Sequence, residues 1–186
     1  GMVTDLAGNE NEKANTLKQA YDTKAPTYEI TNNAKGIAND EVTFDFVFSE
    51  EIQGFTSKDI SVTGGSKGKL SGSGDSYSLT VTPNEDSEGN IVVKTKARMV
   101  ADLAGNPNAK GQTIKQAYDT KAPTFEITKD KDGVTNEDVT FEFVFSEEIQ
   151  GFTSKDIKVK GGSKGKLSEG KLSESGTNTY TLTVTP

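Results

Sequence analysis

Apolar and polar positions alternate with a period of two along much of the chain. The clearest case is Val42, Phe44, Phe46 and Phe48, with Thr43, Asp45 and Val47 between them. That period places four apolar side chains on one face of a strand, so the Phe column reads as core. Tyr77, Leu79 and Val81 alternate with Ser78 and Thr80, and Val93, Thr95, Ala97 and Met99 alternate with Lys94, Lys96 and Arg98. Seven extended segments are predicted, bounded by Gly, Asn, Asp and Pro signals at sandwich-like spacing. They are Thr27 to Thr31, Val42 to Phe48, Ile60 to Thr63, Lys67 to Ser71, Tyr77 to Thr82, Ile91 to Val100 and Thr113 to Tyr118. Glu10 to Ala20 is a weak helix candidate, and no other window carries a helical stripe. The pattern predicts an all-β chain.

The stretch Phe44 to Ile60 returns nearly unchanged at Phe141 to Ile157, an offset of 97 residues. Val3 to Ser71 aligns without a gap on Val100 to Ser168, and roughly three quarters of those positions are identical, so the chain is a tandem duplication. Residues 1–20 then read as the tail of a preceding repeat, its last strand. Residues 21–117 read as a complete unit, and residues 118–186 as an incomplete one lacking its last two strands. Pro26 and Pro123 stand before the first strand of each unit, where they set chain direction and block edge pairing. The linkers Ala20 to Pro26 and Ala117 to Pro123 are short and not Gly/Ser-rich, which predicts closely held neighbours.

Composition narrows the chemistry. With 31% hydrophobic and 8% aromatic residues, a chain of 186 residues builds one or two small cores and no large catalytic cleft. The net charge of -7, with Lys interspersed among Asp and Glu, argues against nucleic acid as a partner. No apolar run approaches the length of a membrane span, so no membrane insertion is expected, and Gly1-Met2 reads as a remnant of cloning. The absence of Cys and His removes thiol nucleophiles, disulfides, ordinary zinc sites and His-dependent acid/base catalysis. Hard cations that bind oxygen remain.

If the strands alternate in direction in immunoglobulin order, the loop Ser49 to Asp59, the loop Ala101 to Asn108 and the entering linker share one end of the unit. The candidate ligands there are Asp22, Glu50, Glu51, Asp59, Asp102 and Asn106, an all-oxygen set suited to Ca²⁺. At the opposite end Asp40, Glu41, Glu85, Asp86 and Glu88 would face Asp119, Glu147, Glu148 and Asp156 of the next unit, a junction of like charges without a cation. The competing reading is that these carboxylates are solvated turn residues making local backbone hydrogen bonds.

Several motifs here resemble the bacterial Ig-like repeats of large surface adhesins, including RTX-type and biofilm-associated ones. They are Asp-Thr-Lys-Ala-Pro-Thr, Phe-x-Phe-x-Phe-Ser-Glu with Gly-Phe-Thr and Asp-Ile, Tyr-x-Leu-x-Val-Thr-Pro, and Asp-Leu-Ala-Gly-Asn. The resemblance covers nearly the whole chain. It implies tandem immunoglobulin-like β-sandwiches acting as non-enzymatic extender or stalk modules at the bacterial cell surface, with neighbouring repeats as partners and calcium at or near junctions. It carries over to Asp22, Glu50, Asp102 and Asn106 in the first unit and to Asp119 and Glu147 in the second. The second unit has no Asp-x-Ala-Gly-Asn loop of its own. Rival readings are a module binding carbohydrate or host protein through a loop such as Glu169 to Asn178, and an accessory domain of a secreted hydrolase.

Gly64 to Lys69 superficially suggests a phosphate loop, but Thr63 stands where the first Gly belongs and Leu70 where the final Ser/Thr belongs, so a Gly-rich hairpin turn is expected. Glu50 and Glu51 are adjacent and would point to opposite faces of a strand, which argues against a glycosidase pair. Tyr21 and Tyr118 are expected to be exposed aromatics that pack on a neighbouring domain. The truncated second unit should leave its Phe141, Phe143 and Phe145 face partly uncovered. Strand exchange is the expected remedy, with Val3 to Ala20 of another copy adding to that unit.

Overall fold

The computed structural model describes residues 2–13 and 16–186 and is almost entirely β, with several sheets. The chain folds as two compact units, one ending at Thr120 and one spanning Lys121–Pro186.

The first unit is a sandwich. One sheet has the order β1-β2-β6-β5, from β1 (Tyr28–Asn32), β2 (Val42–Phe48), β6 (Ser76–Pro83) and β5 (Gly65–Ser73). The other has the order β4-β7-β9, from β4 (Ile60–Thr63), β7 (Glu88–Thr95) and β9 (Thr113–Asp119). A two-residue ladder joins β3 (Ile52–Gln53) to β8 (Ala101–Asp102). The alternation of β2 does what its period dictates: Val42, Phe44, Phe46 and Phe48 are buried with Leu79, Val81, Ile91 and Val93. Phe55, from the loop after β3, packs edge-on against Phe46, Phe48 and Tyr77, closing one end of that core.

Four expectations are corrected. The strand expected over Ile91 to Val100 stops at Thr95, because Arg98 takes a positive φ of 58° and the buried Asn108 amide bonds the 96–100 backbone away from the sheet. Gly64 to Lys69 is not a hairpin turn. Gly64 is the corner where the chain leaves one sheet for the other, Gly65 begins β5, and a bulge between Lys67 and Leu70 aims the Lys67 ammonium at the Ser57 and Ile60 carbonyls. The hairpin turn itself lies at Gly74-Asp75. Tyr118 is buried in its own unit, with only Tyr21 exposed. No helix forms in the described part of Glu10 to Ala20, where Glu10 instead bridges Thr4; Ala14 and Asn15 lie outside the described residues.

The second unit consists of β10 (Phe125–Lys129), β11 (Val139–Phe145), β14 (Asn178–Thr185) and β12 (Ser163–Leu167) in the sheet order β10-β11-β14-β12, with β13 (Lys171–Leu172) also paired to β14. Its β10–β11 register repeats that of β1–β2, Phe125 opposite Phe145 as Tyr28 is opposite Phe48. The opposing sheet is absent from the described residues. Ile30 is 7% exposed, while its counterpart Ile127 is 52% exposed. Ile60–Thr63 is a strand paired to β7, whereas the matching residues 157–160 form none. The same Ile-x-Val pattern is a strand only where a partner supplies its hydrogen bonds, so tertiary context outweighs local propensity. Amide exchange followed by mass spectrometry should show Ile60–Thr63 protected at least about tenfold more than residues 157–160. Equal protection would contradict this account.

Candidate functional site

Three of the nine candidate ligands converge. Carboxylate oxygens of Asp22, Glu50 and Asp102 all lie within 4.8 Å of one another, the first residue exposed, the second half-buried and the third buried. The β3–β8 ladder brings them together: Ile52, two residues after Glu50, pairs with Asp102 itself. Ile52 is buried, so an apolar anchor inside the acidic loop pins that loop to the sandwich.

Asp102 is held by the loop that follows it. Asn106 donates its backbone N–H to Asp102 Oδ1 and its side-chain Nδ2 to Oδ2, each at 2.8 Å, and Gly105, at φ 93°, donates its N–H to the Asp102 carbonyl at 3.2 Å. The Asn106 side-chain bond, followed by backbone bonds, holds the Asp102 carboxyl below its ordinary 3.8 despite the opposing effect of burial. It is therefore ionised at neutral pH. Asn106 Nδ2 also donates to the Asp22 carbonyl at 3.1 Å, tying the entering linker to the loop. Asp22 is oriented in turn by the Lys24 N–H, which donates to its Oδ1 at 2.9 Å. Among the described residues none of the three carboxylates is in an ion pair.

The other candidates have different places. Asn106 faces the corner with its amide nitrogen, a donor, and clips the entering linker to the loop. Asp59 closes a capping box on the 3₁₀ turn Ser57–Asp59, its Oδ2 accepting from the Thr56 N–H at 2.8 Å and hydroxyl at 2.7 Å. Asp156 does the same with Thr153, whose hydroxyl is the main cause of its lowered pKa. Glu51 is exposed and is not one of the three. Asp119 ends β9 opposite Glu88, its N–H donating to the Ala38 carbonyl, and Glu147 is half-buried in the second unit. No second group of three such residues occurs among the described residues, since the 186 residues include no counterpart of Asp102 in the second unit.

The N-terminal segment repeats the Asp102 loop in miniature. Asn9 donates its N–H and Nδ2 to Asp5 at 2.9 and 2.8 Å, Gly8 takes φ 90°, and Thr4 bridges Glu10 as Ala101 bridges Pro107. Asp5, too, has a lowered pKa, caused first by the Asn9 side chain. The Asp-Leu-Ala-Gly-Asn loop thus takes its shape from local bonds alone.

The donor chemistry fits a hard cation. Oxygens on one Ca²⁺ coordination sphere lie no more than about 5 Å apart, which spans the observed separation, and all three groups are anionic oxygen donors. The described residues include no helix long and apolar enough to cross a membrane. No curated protein and no solved structure matches the chain. The bacterial Ig-like domain family matches residues 22–118 and again residues 119–186, and the chain belongs to that family.

Proposed function

We propose that the chain is part of an extender or stalk of a bacterial surface protein, and that Ca²⁺ at Asp22, Glu50 and Asp102 stiffens the entry to its first complete sandwich. Bacterial Ig-like domains are a non-catalytic structural type and are often extracellular surface modules. The observation that carries the cation reading is the convergence of one linker carboxylate with two from the sandwich, within 4.8 Å. A shared cation would draw these three repelling charges together and fix the linker against the domain, so that tension or bending is resisted at the joint. Asn106 already clips the Asp22 carbonyl to the same loop, which lowers the entropy lost on binding.

The test is thermal melting of chelator-treated protein with and without millimolar CaCl₂, with MgCl₂ as control. Calcium should raise the first unit's melting temperature by about 5 °C or more, with a much smaller magnesium effect, and Asp102→Asn should abolish the shift. No response to either ion would return the three carboxylates to solvated turns and leave a spacer without metal, and equal responses would make the corner a cation site without preference for calcium.

A further inference from the structure

We propose that the outer face of the β4-β7-β9 sheet binds a linear acidic polysaccharide, one whose sugar units carry carboxylates. The net charge of -7 is unevenly placed along the chain. Residues 89–118 hold five cations, Lys94, Lys96, Arg98, Lys110 and Lys115, against a single carboxylate, Asp102, which turns to the corner with Asp22 and Glu50. Arg98 is the one arginine of the 186 residues. All five cationic residues are exposed, and among the described residues none of them is in an ion pair.

The fold gathers these charges into a row. Ile91 and Val93 of β7 are buried in the core, so Lys94 lies on the outer face, between its partners Ser61 of β4 and Thr113 of β9. Lys115 stands opposite Val92 on the same face, which makes it the diagonal neighbour of Lys94, about 7 to 8 Å away. Beyond Thr95 the strand ends, and Asn108 Nδ2 donates to the carbonyls of both Lys96 and Lys110, at 3.1 and 3.0 Å, holding those two residues together at the end of the sheet. The Arg98 N–H donates to the Asn108 carbonyl at 2.9 Å. The row thus runs from Lys115 through Lys94 and Lys96 to Arg98. The carboxylates of this face, Glu88 and Asp119, are paired in register at its far end. Nothing in the unit covers the face, since Ser61, Thr63, Lys94, Thr113 and Lys115 are all exposed.

Charge complementarity calls for an anion, and a row of cations for a repeating one. The Arg98 guanidinium suits a carboxylate, which it can hold through two parallel hydrogen bonds, and Ser61, Thr63 and Thr113 offer hydroxyls to a sugar ring. The face carries no helix to enter the groove of a DNA duplex, and the net charge of the whole chain repels so dense a polyanion.

Binding of the full chain to immobilised polygalacturonate tests this, with chelator present so that no cation bridges the two and the outcome is separate from the calcium reading. Dextran is the neutral control. Polygalacturonate should bind and dextran should not, and the affinity should fall at least about fivefold between about 50 and 200 mM salt. Lys94→Gln with Lys115→Gln should weaken binding about tenfold or more. Both residues are exposed, so the fold is spared, which an unchanged melting temperature verifies. Lys35→Gln with Lys69→Gln removes the same charge from the β1–β2 loop and from β5 in the other sheet, and should change the affinity less than about twofold. No binding to polygalacturonate at the lower salt would overturn the proposal. Equal losses from the two lysine pairs would also overturn it, because attraction would then depend on total charge and not on this face. Tighter binding of duplex DNA would assign the face to nucleic acid instead.

Discussion

Asn108→Leu is expected to destabilise the first unit by about 3 to 5 kcal/mol, although leucine keeps the branching of asparagine at Cγ. Asn108 is 1% exposed and uses its whole amide: Oδ1 accepts from the Met99 and Val100 N–H groups at 2.9 and 3.2 Å, and Nδ2 donates to the Lys96 and Lys110 carbonyls at 3.1 and 3.0 Å. Leucine would leave two donors and two acceptors of the backbone without these partners. The loop carrying Asp102 would then lose its anchor to the end of β7. The matching change at the exposed Asn11, which accepts from the Val3 N–H, should cost under about 0.5 kcal/mol. Urea unfolding followed by circular dichroism measures both. A loss below about 1 kcal/mol at Asn108 would show that the loop holds without its amide.

Gly64→Ala and Gly161→Ala should differ sharply although the two glycines stand at matching positions. Both take a positive φ, 78° and 84°, so either alanine meets the left-handed penalty of about 1 to 2 kcal/mol. At Gly64 an added Cβ would also sit 2.1 Å from the Asn90 carbonyl oxygen and 2.8 Å from its carbon, both backbone atoms of β7. At Gly161 nothing lies within 4 Å. Separating the sheets to relieve that clash should bring the Gly64 cost to about 3 kcal/mol or more. The thermal transitions of the two variants provide the comparison. Similar losses would mean that the sheet corner yields more easily than its packing implies.

The β2 strand was legible because seven residues of alternation leave one face to bury, and its bounds in the structure coincide with the expected Val42 to Phe48. The sandwich followed from several such strands between turn signals. The joint that assembles the acidic corner was not legible: Ile52–Gln53 and Ala101–Asp102 are two residues each and lie some fifty positions apart, too short for any period to show. Ile52 was the available clue, an apolar residue amid carboxylates. Residue type alone could nominate Asp22, Glu50 and Asp102, but it could not distinguish them from Asp59 and Asp156, each of which uses Oδ2 to close a cap. Nor could it tell that Asn106 presents its nitrogen inward. Gly64 to Lys69 misled because glycine serves at a corner and under close strand packing as readily as in a hairpin.

The second unit has its Phe sheet paired in register while the facing sheet is missing. Chains are synthesised from the N-terminus, so the residues of the Phe sheet of each complete repeat emerge from the ribosome before residues like 84–117 do. If that sheet pairs before they arrive, the later strands meet a template already formed. During that interval each nascent repeat displays a greasy phenylalanine surface beside a neighbour of nearly the same sequence. The speed at which the remaining thirty or so residues arrive then governs whether a repeat closes on itself or captures the strand of its neighbour.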